Sequence, residues 1–269
     1  MPNLYPVLAQ AEGALVTEVG LASAIDPMHS ATRGATPDLF SSQPAFGAHE
    51  VIVHTPRHET SLGALSEDEL AGAVGAWRER MRTHAGASCL HLIVNEGPEA
   101  GASLEHTHAQ LYVLGFVPAT LARERERSRA YHERTMGGQL LGDVATEEVR
   151  RRERLVAIDD DAMLVCPWAS RSPFELRVIP RRPAPRFEDD DAGAGMIGAA
   201  LRALTRALGA PPQLNLWVRT APRGAEEFCW HVDIVPRLTI RAGFELGTGV
   251  EINVYAPERA AADLREALG

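Results

Sequence analysis

Between Asn95 and Gln110 the chain places Asn95, Gly97, Gly101, Ser103, His106, His108 and Gln110 in close succession. Glycines let backbone N–H groups approach an anion closely, and the Ser103 hydroxyl adds a further donor. An imidazole beside such a loop can attack a phosphorus centre while the loop holds its non-bridging oxygens. On a strand running across the motif, His106, His108 and Gln110 lie two residues apart and are expected on one face. A polar face in an otherwise apolar strand pair is costly unless its groups are satisfied or used. A bare H-x-H is often hydrogen-bonded core or an adventitious metal ligand. The Asn-Gly-Gly-Ser loop ahead of this pair is what gives it chemical weight.

The rest of the chain limits that chemistry. It has 269 residues, 36 acidic and 27 basic side chains, 10 histidines, 3 cysteines and 45% hydrophobic residues, a profile expected of a soluble globular protein with one large or two ordinary domains. All 27 basic residues are arginine, which excludes a Schiff-base lysine and a phosphate-loop lysine. The formal charge of -9, with no basic run longer than Arg150 to Arg152, argues against a nucleic-acid partner. Arg33 is the first basic residue, so the start lacks the pattern of a secretory signal, and no apolar run is long enough for a membrane span. Cys89, Cys166 and Cys229 are odd in number and far apart, which fits a reducing compartment; a cytoplasmic location is expected.

An internal repeat supplies the elements that position the motif. PAFGAHEVIVHTPRH (44–58) aligns with SRSPFELRVIPRRP (170–183) at a shift of about 125 residues, and both read as a strand ending at a proline. An amphipathic helix follows in each copy. The first opens with a Ser66/Glu69 capping box and puts Leu70, Val74, Trp77 and Met81 on one face; the second puts Ile197, Leu201, Leu204 and Leu208 on one face and stops at Gly209. Then CLHLIVNEGPEAGASLEHTHAQLYVLG matches QLNLWVRTAPRGAEEFCWHVDIVP as strand, turn, strand, with Asn95 set against Arg219 and with His231 and Asp233 as the second copy's pair. Residues 119–135 read as a charged helix, 136–150 as a looser connector, 10–45 as mostly loop, and 257–268 as a closing helix. The acidic run Glu188 to Asp191 reads as a solvated loop capping the next helix, and Trp168, Trp217 and Trp230 as core. His29, His49, His54, His84, His91 and His132 show no convergent partners.

The motif resembles the signature of the galactose-1-phosphate uridylyltransferase branch of the histidine-triad superfamily. HEVIVHTPRH, CPWASRSPFELRVIP and WHVDIVPRLTIRAGFELGTG extend the resemblance over nearly the whole chain. It implies an α+β fold of two tandem histidine-triad-like units, each an antiparallel sheet with packed helices, here residues 1–150 (catalytic) and 151–269. By resemblance, His108 is the nucleophile that accepts a nucleotidyl group and Gln110 contacts the α-phosphate, a glutamine there favouring transfer over hydrolysis. Gly101 and Ser103 are implied as phosphate contacts, Asn3 and Asn95 as nucleotide contacts, and Phe244 and Glu245 as the edge of the sugar site. The implied partners are a nucleoside diphosphate sugar, a sugar 1-phosphate and a second copy of the chain. Double displacement through a nucleotidyl-histidine follows.

The chain also departs from that pattern. Zinc-containing relatives use two cysteines near the N-terminus with histidines at the places of His58 and His106, but MPNLYPVL matches the segment just after that pair. Either a segment carrying the cysteines precedes Met1, or this branch dispenses with zinc and holds the two histidines by hydrogen bonds. A second metal site in some relatives has Glu124 and three histidines; here only His231 is retained, and the others read Arg219 and Asp233, so that site is expected to be lost or altered. GFELGTG also resembles plant ADP-glucose phosphorylases, which leaves uracil against adenine open. The rivals to a transferase are a nucleotide-sugar phosphorylase or hydrolase, and a protein that binds nucleotide without forming the covalent intermediate.

Overall fold

In Cys89–Glu96, Leu90, Leu92 and Val94 alternate with His91, Ile93 and Asn95, and an extended chain sends the two sets to opposite faces. The same alternation recurs in Leu214–Arg219, where Leu214, Leu216 and Val218 are buried between Asn215, Trp217 and Arg219. The structure is a computed structural model in which residues 46–269 are described. Asn3, His29 and the segment 10–45 lie outside the described residues.

The strands are β1 (Gly47–Val53), β2 (Cys89–Glu96), β3 (His108–Leu114), β4 (Leu155–Ile158), β5 (Ala162–Val165), β6 (Leu176–Pro180), β7 (Leu214–Arg219) and β8 (His231–Pro236). They form one antiparallel sheet in the order β1-β3-β2-β7-β8-β6-β5-β4. The helices are α1 (Glu67–Thr83), α2 (Ala119–Arg134), α3 (Leu140–Arg151), α4 (Ala194–Leu208), α5 (Gly243–Thr248) and α6 (Pro257–Leu268). The arrangement β1-β3-β2, with α1 between β1 and β2, recurs as β6-β8-β7 with α4 between β6 and β7. The copies of the repeat meet edge to edge at β2 and β7, where Asn95 stands opposite Asn215.

One face of the sheet is covered by helices. Leu70, Val74, Trp77 and Met81 of α1, Ile197, Leu201 and Leu204 of α4, and Leu264 of α6 pack on Leu92, Val94, Leu111, Leu216, Val218, Val232 and Ile234. The expected capping box is present, with Ser66 Oγ accepting from Glu69 N–H and Glu69 accepting from Ser66 N–H. Gly209 closes α4 in the left-handed conformation, and Pro257 opens α6.

Four expectations require correction. Residues 140–151 form a helix, because Leu141, Ala145 and Val149 recur every fourth residue and pack on Met163, Val165 and Ile179 beneath a charged outer face. Its start is capped by the Gln139 side chain on Gly142 N–H at 2.6 Å. Trp168 is 75% exposed in a turn after β5, and Trp217 is half-buried on the polar face of the sheet. The acidic run is solvated only at Asp189 and Asp191: Glu188 is buried and accepts from Thr220 Oγ1 at 2.6 Å, while Asp190 accepts from Trp230 Nε1 at 2.8 Å. Four of the six histidines without expected partners have them: His49 with Gln110, His54 with Trp77 and Thr107, His84 with Glu50, and His132 with the Gly138 carbonyl.

Candidate active site

The second face of the sheet carries the polar residues of the central strands. Register sets Ile93 beside Gln110 and Trp217, Trp217 beside Asp233, and Asp233 beside Arg177. Val94 stands opposite Ala109, so the next residue, Asn95, comes alongside His108. Asn215 then donates from Nδ2 to Asn95 Oδ1 and to the Ala100 carbonyl, both at 2.8 Å. The second copy thereby braces the loop of the first.

His108 opens β3 and is buried, with Nδ1 at 2.8 Å from the His106 carbonyl. A carbonyl only accepts, so the proton sits on Nδ1 and the lone pair on Nε2. Nε2 forms no hydrogen bond with any described residue. Gln110 follows on the same face, and its Oε1 accepts from Tyr112 Oη at 3.0 Å with His49 Nε2 at 3.1 Å. Its amide N–H groups remain as donors. Burial lowers the His49 pKa, against the opposing hydrogen bond from Gln110.

His106 does not share that face, because β3 begins only at His108. Its Nε2 lies 2.8 Å from the Thr55 carbonyl, and its ring meets His58 edge-on with centroids 5.6 Å apart. Two imidazoles fall short of a closed tetrahedral zinc site. Among the described residues no group of three or more His, Cys, Asp or Glu is placed to hold a metal, and all three cysteines are buried and free. The described donors do not fit that ion.

The loop between β2 and β3 turns tightly on two glycines. Gly97 has φ 83°, and a Cβ there would fall 2.4 Å from Gln213 Cγ, whose side-chain oxygen accepts from Glu99 N–H at 2.7 Å. Gly101 has φ 81° and gives its N–H to the Pro98 carbonyl, so that amide is spent inside the turn. Ser103 is exposed, and the amides of Ser103, Leu104 and Glu105 bond to no described residue. Glu245 lines a cavity of about 310 Å³ with Asn215, Trp217 and Arg237, whereas Phe244, 53% exposed, does not line it. Asn215, His49 and Tyr112 were not singled out from the sequence. The repeat matched Asn95 with its equivalent, Arg219, and the contact across the junction is with Asn215 instead.

The second copy holds a closed counterpart of the first. Val218 faces Val232 as Val94 faces Ala109, which makes His231 the equivalent of His108 and Asp233 that of Gln110. His231 also turns Nδ1 to the carbonyl two residues back, Cys229, at 3.3 Å. Its Nε2, however, is buried beneath Glu124 of α2 at 3.4 Å. Burial takes the His231 pKa down to about 3 and raises that of Glu124. Burial alone would raise Asp233, but Arg177 at 2.7 Å holds it below the usual carboxylate range. Arg219 lies 4.0 Å from Glu124, and a guanidinium has no lone pair to give a metal.

Known proteins share both the sequence and this architecture. Residues 21–118 match the model of the galactose-1-phosphate uridyl transferase N-terminal domain. ADP-glucose phosphorylase from Arabidopsis thaliana is 28% identical over 250 residues, 87% of this chain and 69% of that one. Galactose-1-phosphate uridylyltransferase from Cryptococcus neoformans is 27% identical over 270 residues, 90% of this chain and 71% of that one. The crystal structure of the Arabidopsis ADP-glucose phosphorylase with bound ADP-glucose superposes with a TM-score of 0.74 at 26% identity, covering 82% of this chain and 74% of that one. The motif, the repeated topology and these similarities agree: in sequence and in fold the chain is similar to galactose-1-phosphate uridylyltransferases and to ADP-glucose phosphorylase.

Proposed function

We propose that the chain is a nucleotidyltransferase that moves a UMP or AMP group between a nucleoside diphosphate sugar and a sugar 1-phosphate. The observation that carries this reading is the His108 imidazole, its proton held on Nδ1 by the His106 carbonyl and its Nε2 bonded to none of the described residues, with a glycine-serine loop just ahead of it in the chain. Nε2 attacks the α-phosphorus, and the bond to the bridging oxygen breaks, so that sugar 1-phosphate departs with the electron pair. In the second step a phosphate oxygen of the acceptor attacks, and the P–N bond returns its pair to Nε2. Gln110, its oxygen occupied by Tyr112 and His49, offers amide N–H groups to the charge on the transferring group. The Ser103 hydroxyl and the amides of residues 103–105 supply further donors, and Asn95, braced by Asn215, borders the same site. Glu245 and the cavity beside Asn215 are assigned to the sugar end; Phe244, its neighbour in the chain, lies outside the lining.

Inorganic phosphate as second acceptor would make the protein a phosphorylase, a reading favoured by the similarity to ADP-glucose phosphorylase. A second copy of the chain is the proposed partner, supported by the exposed apolar residues Ile240, Leu246, Val250 and Val254 on one stretch. The acceptor is tested by supplying UDP-glucose or ADP-glucose with galactose 1-phosphate, inorganic phosphate or buffer alone. Product that requires a sugar 1-phosphate, with parallel double-reciprocal plots, is the expected result. Release of free nucleotide in buffer at the same rate would establish a hydrolase instead.

A further inference from the structure

On the helix-covered side of His108, a chain of hydrogen bonds runs through groups that the transfer steps above do not use. Trp77 Nε1 donates to His54 Nε2 at 3.1 Å. An indole N–H can only donate, so the proton of the neutral imidazole sits on Nδ1, which donates to Thr107 Oγ1 at 2.9 Å. The Thr107 hydroxyl in turn donates to Glu96 Oε1 at 3.2 Å. Ser61 Oγ donates to Glu96 Oε2 at 2.9 Å, and the Leu62 amide donates to Oε1. Every bond points the same way, toward a carboxylate that is only 4% exposed. Three donors converge on its two oxygens and favour the ionised form, against burial, which raises the Glu96 pKa. Burial holds His54 neutral, with its pKa pushed down to about 3.

The chain joins α1, the end of β1, the turn at Ser61 and Leu62, and the end of β2 at one residue, Thr107. That residue lies between His106, whose carbonyl orients the His108 ring, and His108 itself. Its main chain is pinned as well: its N–H donates to the Glu59 carbonyl at 2.7 Å, and its carbonyl accepts from His54 N–H at 3.4 Å.

We propose that Thr107 is a positioning residue for the His108 nucleophile, and that the buried Glu96 carboxylate behind it balances the positive charge the imidazole acquires when Nε2 bonds to phosphorus. This rests on His108 being the nucleophile. On attack, Nδ1 keeps its proton and the ring becomes cationic, while the leaving sugar 1-phosphate takes the electron pair of the broken P–O bond. A fixed, desolvated carboxylate hydrogen-bonded to Thr107, the residue next to His108, favours that charged state over the neutral one.

The test uses Thr107→Val, which removes the hydroxyl at nearly constant shape, Thr107→Ser, which keeps it, and Glu96→Gln. The readouts are the single-turnover rate of adduct formation with whichever of UDP-glucose and ADP-glucose labels the wild-type protein, the half-saturating concentration, and the melting temperature. Thr107→Val and Glu96→Gln are expected to slow the step by about tenfold to a hundredfold with half-saturation within about twofold, and Thr107→Ser to restore it to within about threefold. Unchanged rates in folded Thr107→Val and Glu96→Gln, or a Thr107→Ser variant as slow as Thr107→Val, would overturn the proposal. Should Thr107→Val fail to fold, Glu96→Gln and ¹⁵N-histidine spectra of the wild-type protein decide: His54 must be neutral with its proton on Nδ1 at pH 6, and a charged ring or the other tautomer overturns it. A wild-type protein that takes up no nucleotidyl group counts against the transfer reading itself, which separates the two failures.

Discussion

At the scale of the residue, the fold uses one local geometry twice with opposite outcomes. His108 and His231 both open a strand and turn Nδ1 to the carbonyl two residues earlier, yet only His231 has its Nε2 sealed beneath a carboxylate. His108→Asn is expected to abolish nucleotidyl uptake, and His231→Asn to leave it within about threefold of wild type. Equal losses in two variants of matched melting temperature would contradict that assignment. Gln110→Ala removes an N–H donor and is expected to slow adduct formation by about a hundredfold to a thousandfold; a loss below about threefold would remove Gln110 from the charge-stabilising set. The shared strand face of His108 and Gln110 was legible in the sequence because two-residue spacing along one strand is a local property. The supports of Gln110 and Asn95 were not, since His49 and Asn215 arrive from β1 and β7 through register. His106 was misplaced for a related reason: the strand's first residue is set by its pairing partners, not by the motif.

At the scale of the element, the helix signals were local and held, as at the Ser66 capping box and the Gly209 stop. β4 and β5 were not legible, being four residues each and, in Ala162–Val165, buried throughout without alternation. The turn at Gly97 is the element on which the site depends. Gly97→Ala places a Cβ against Gln213 at positive φ and is expected to cost about 1 to 2 kcal/mol in urea unfolding. A neutral result would mean that the loop is not held against β7. Glu50 of β1 clamps α1 through Arg80, at 2.7 and 2.8 Å, and through His84 at 2.7 Å, and Arg80 chiefly brings the Glu50 pKa down to about 2. A depressed carboxylate stabilises the fold above its unfolded pKa near 4.5, and that contribution disappears as pH falls toward 2. Glu50→Gln is therefore expected to lower stability by about 1 kcal/mol at pH 7, Arg80 being partly exposed, and by almost nothing at pH 2. A difference that stays constant across that range would exclude the ion pair as its cause.

At the scale of the whole molecule, the buried His54 and His231 and the partly buried His91 set the response to acid. Burial carries His54 and His231 down to about 3 and His91 to about 4. Their unfolded forms bind protons first, so each contributes stability above pH 6.5 that is lost as pH falls toward those values, at up to about 1.4 kcal/mol per pH unit. Glu96 and Glu124, raised by burial, act in the opposite sense above pH 4.5 and offset part of that slope. Net proton uptake on unfolding between pH 6.5 and 5, measured from urea curves at several pH values, is the expected outcome; net release would show that the raised carboxylates dominate. The duplicated topology was legible as a repeat, whereas the joining of both copies into one sheet was not, because edge-to-edge pairing leaves no period in the sequence.

The central claim is that His108 carries a nucleotidyl group. Intact-protein mass spectrometry after mixing with UDP-glucose and, separately, ADP-glucose, without acceptor and with an alkaline quench, tests it most directly. The expected result is a mass gain of one UMP or one AMP, located on the peptide containing His108 and absent from His108→Asn. No gain with either sugar nucleotide, in a folded protein that still binds nucleotide, would contradict it.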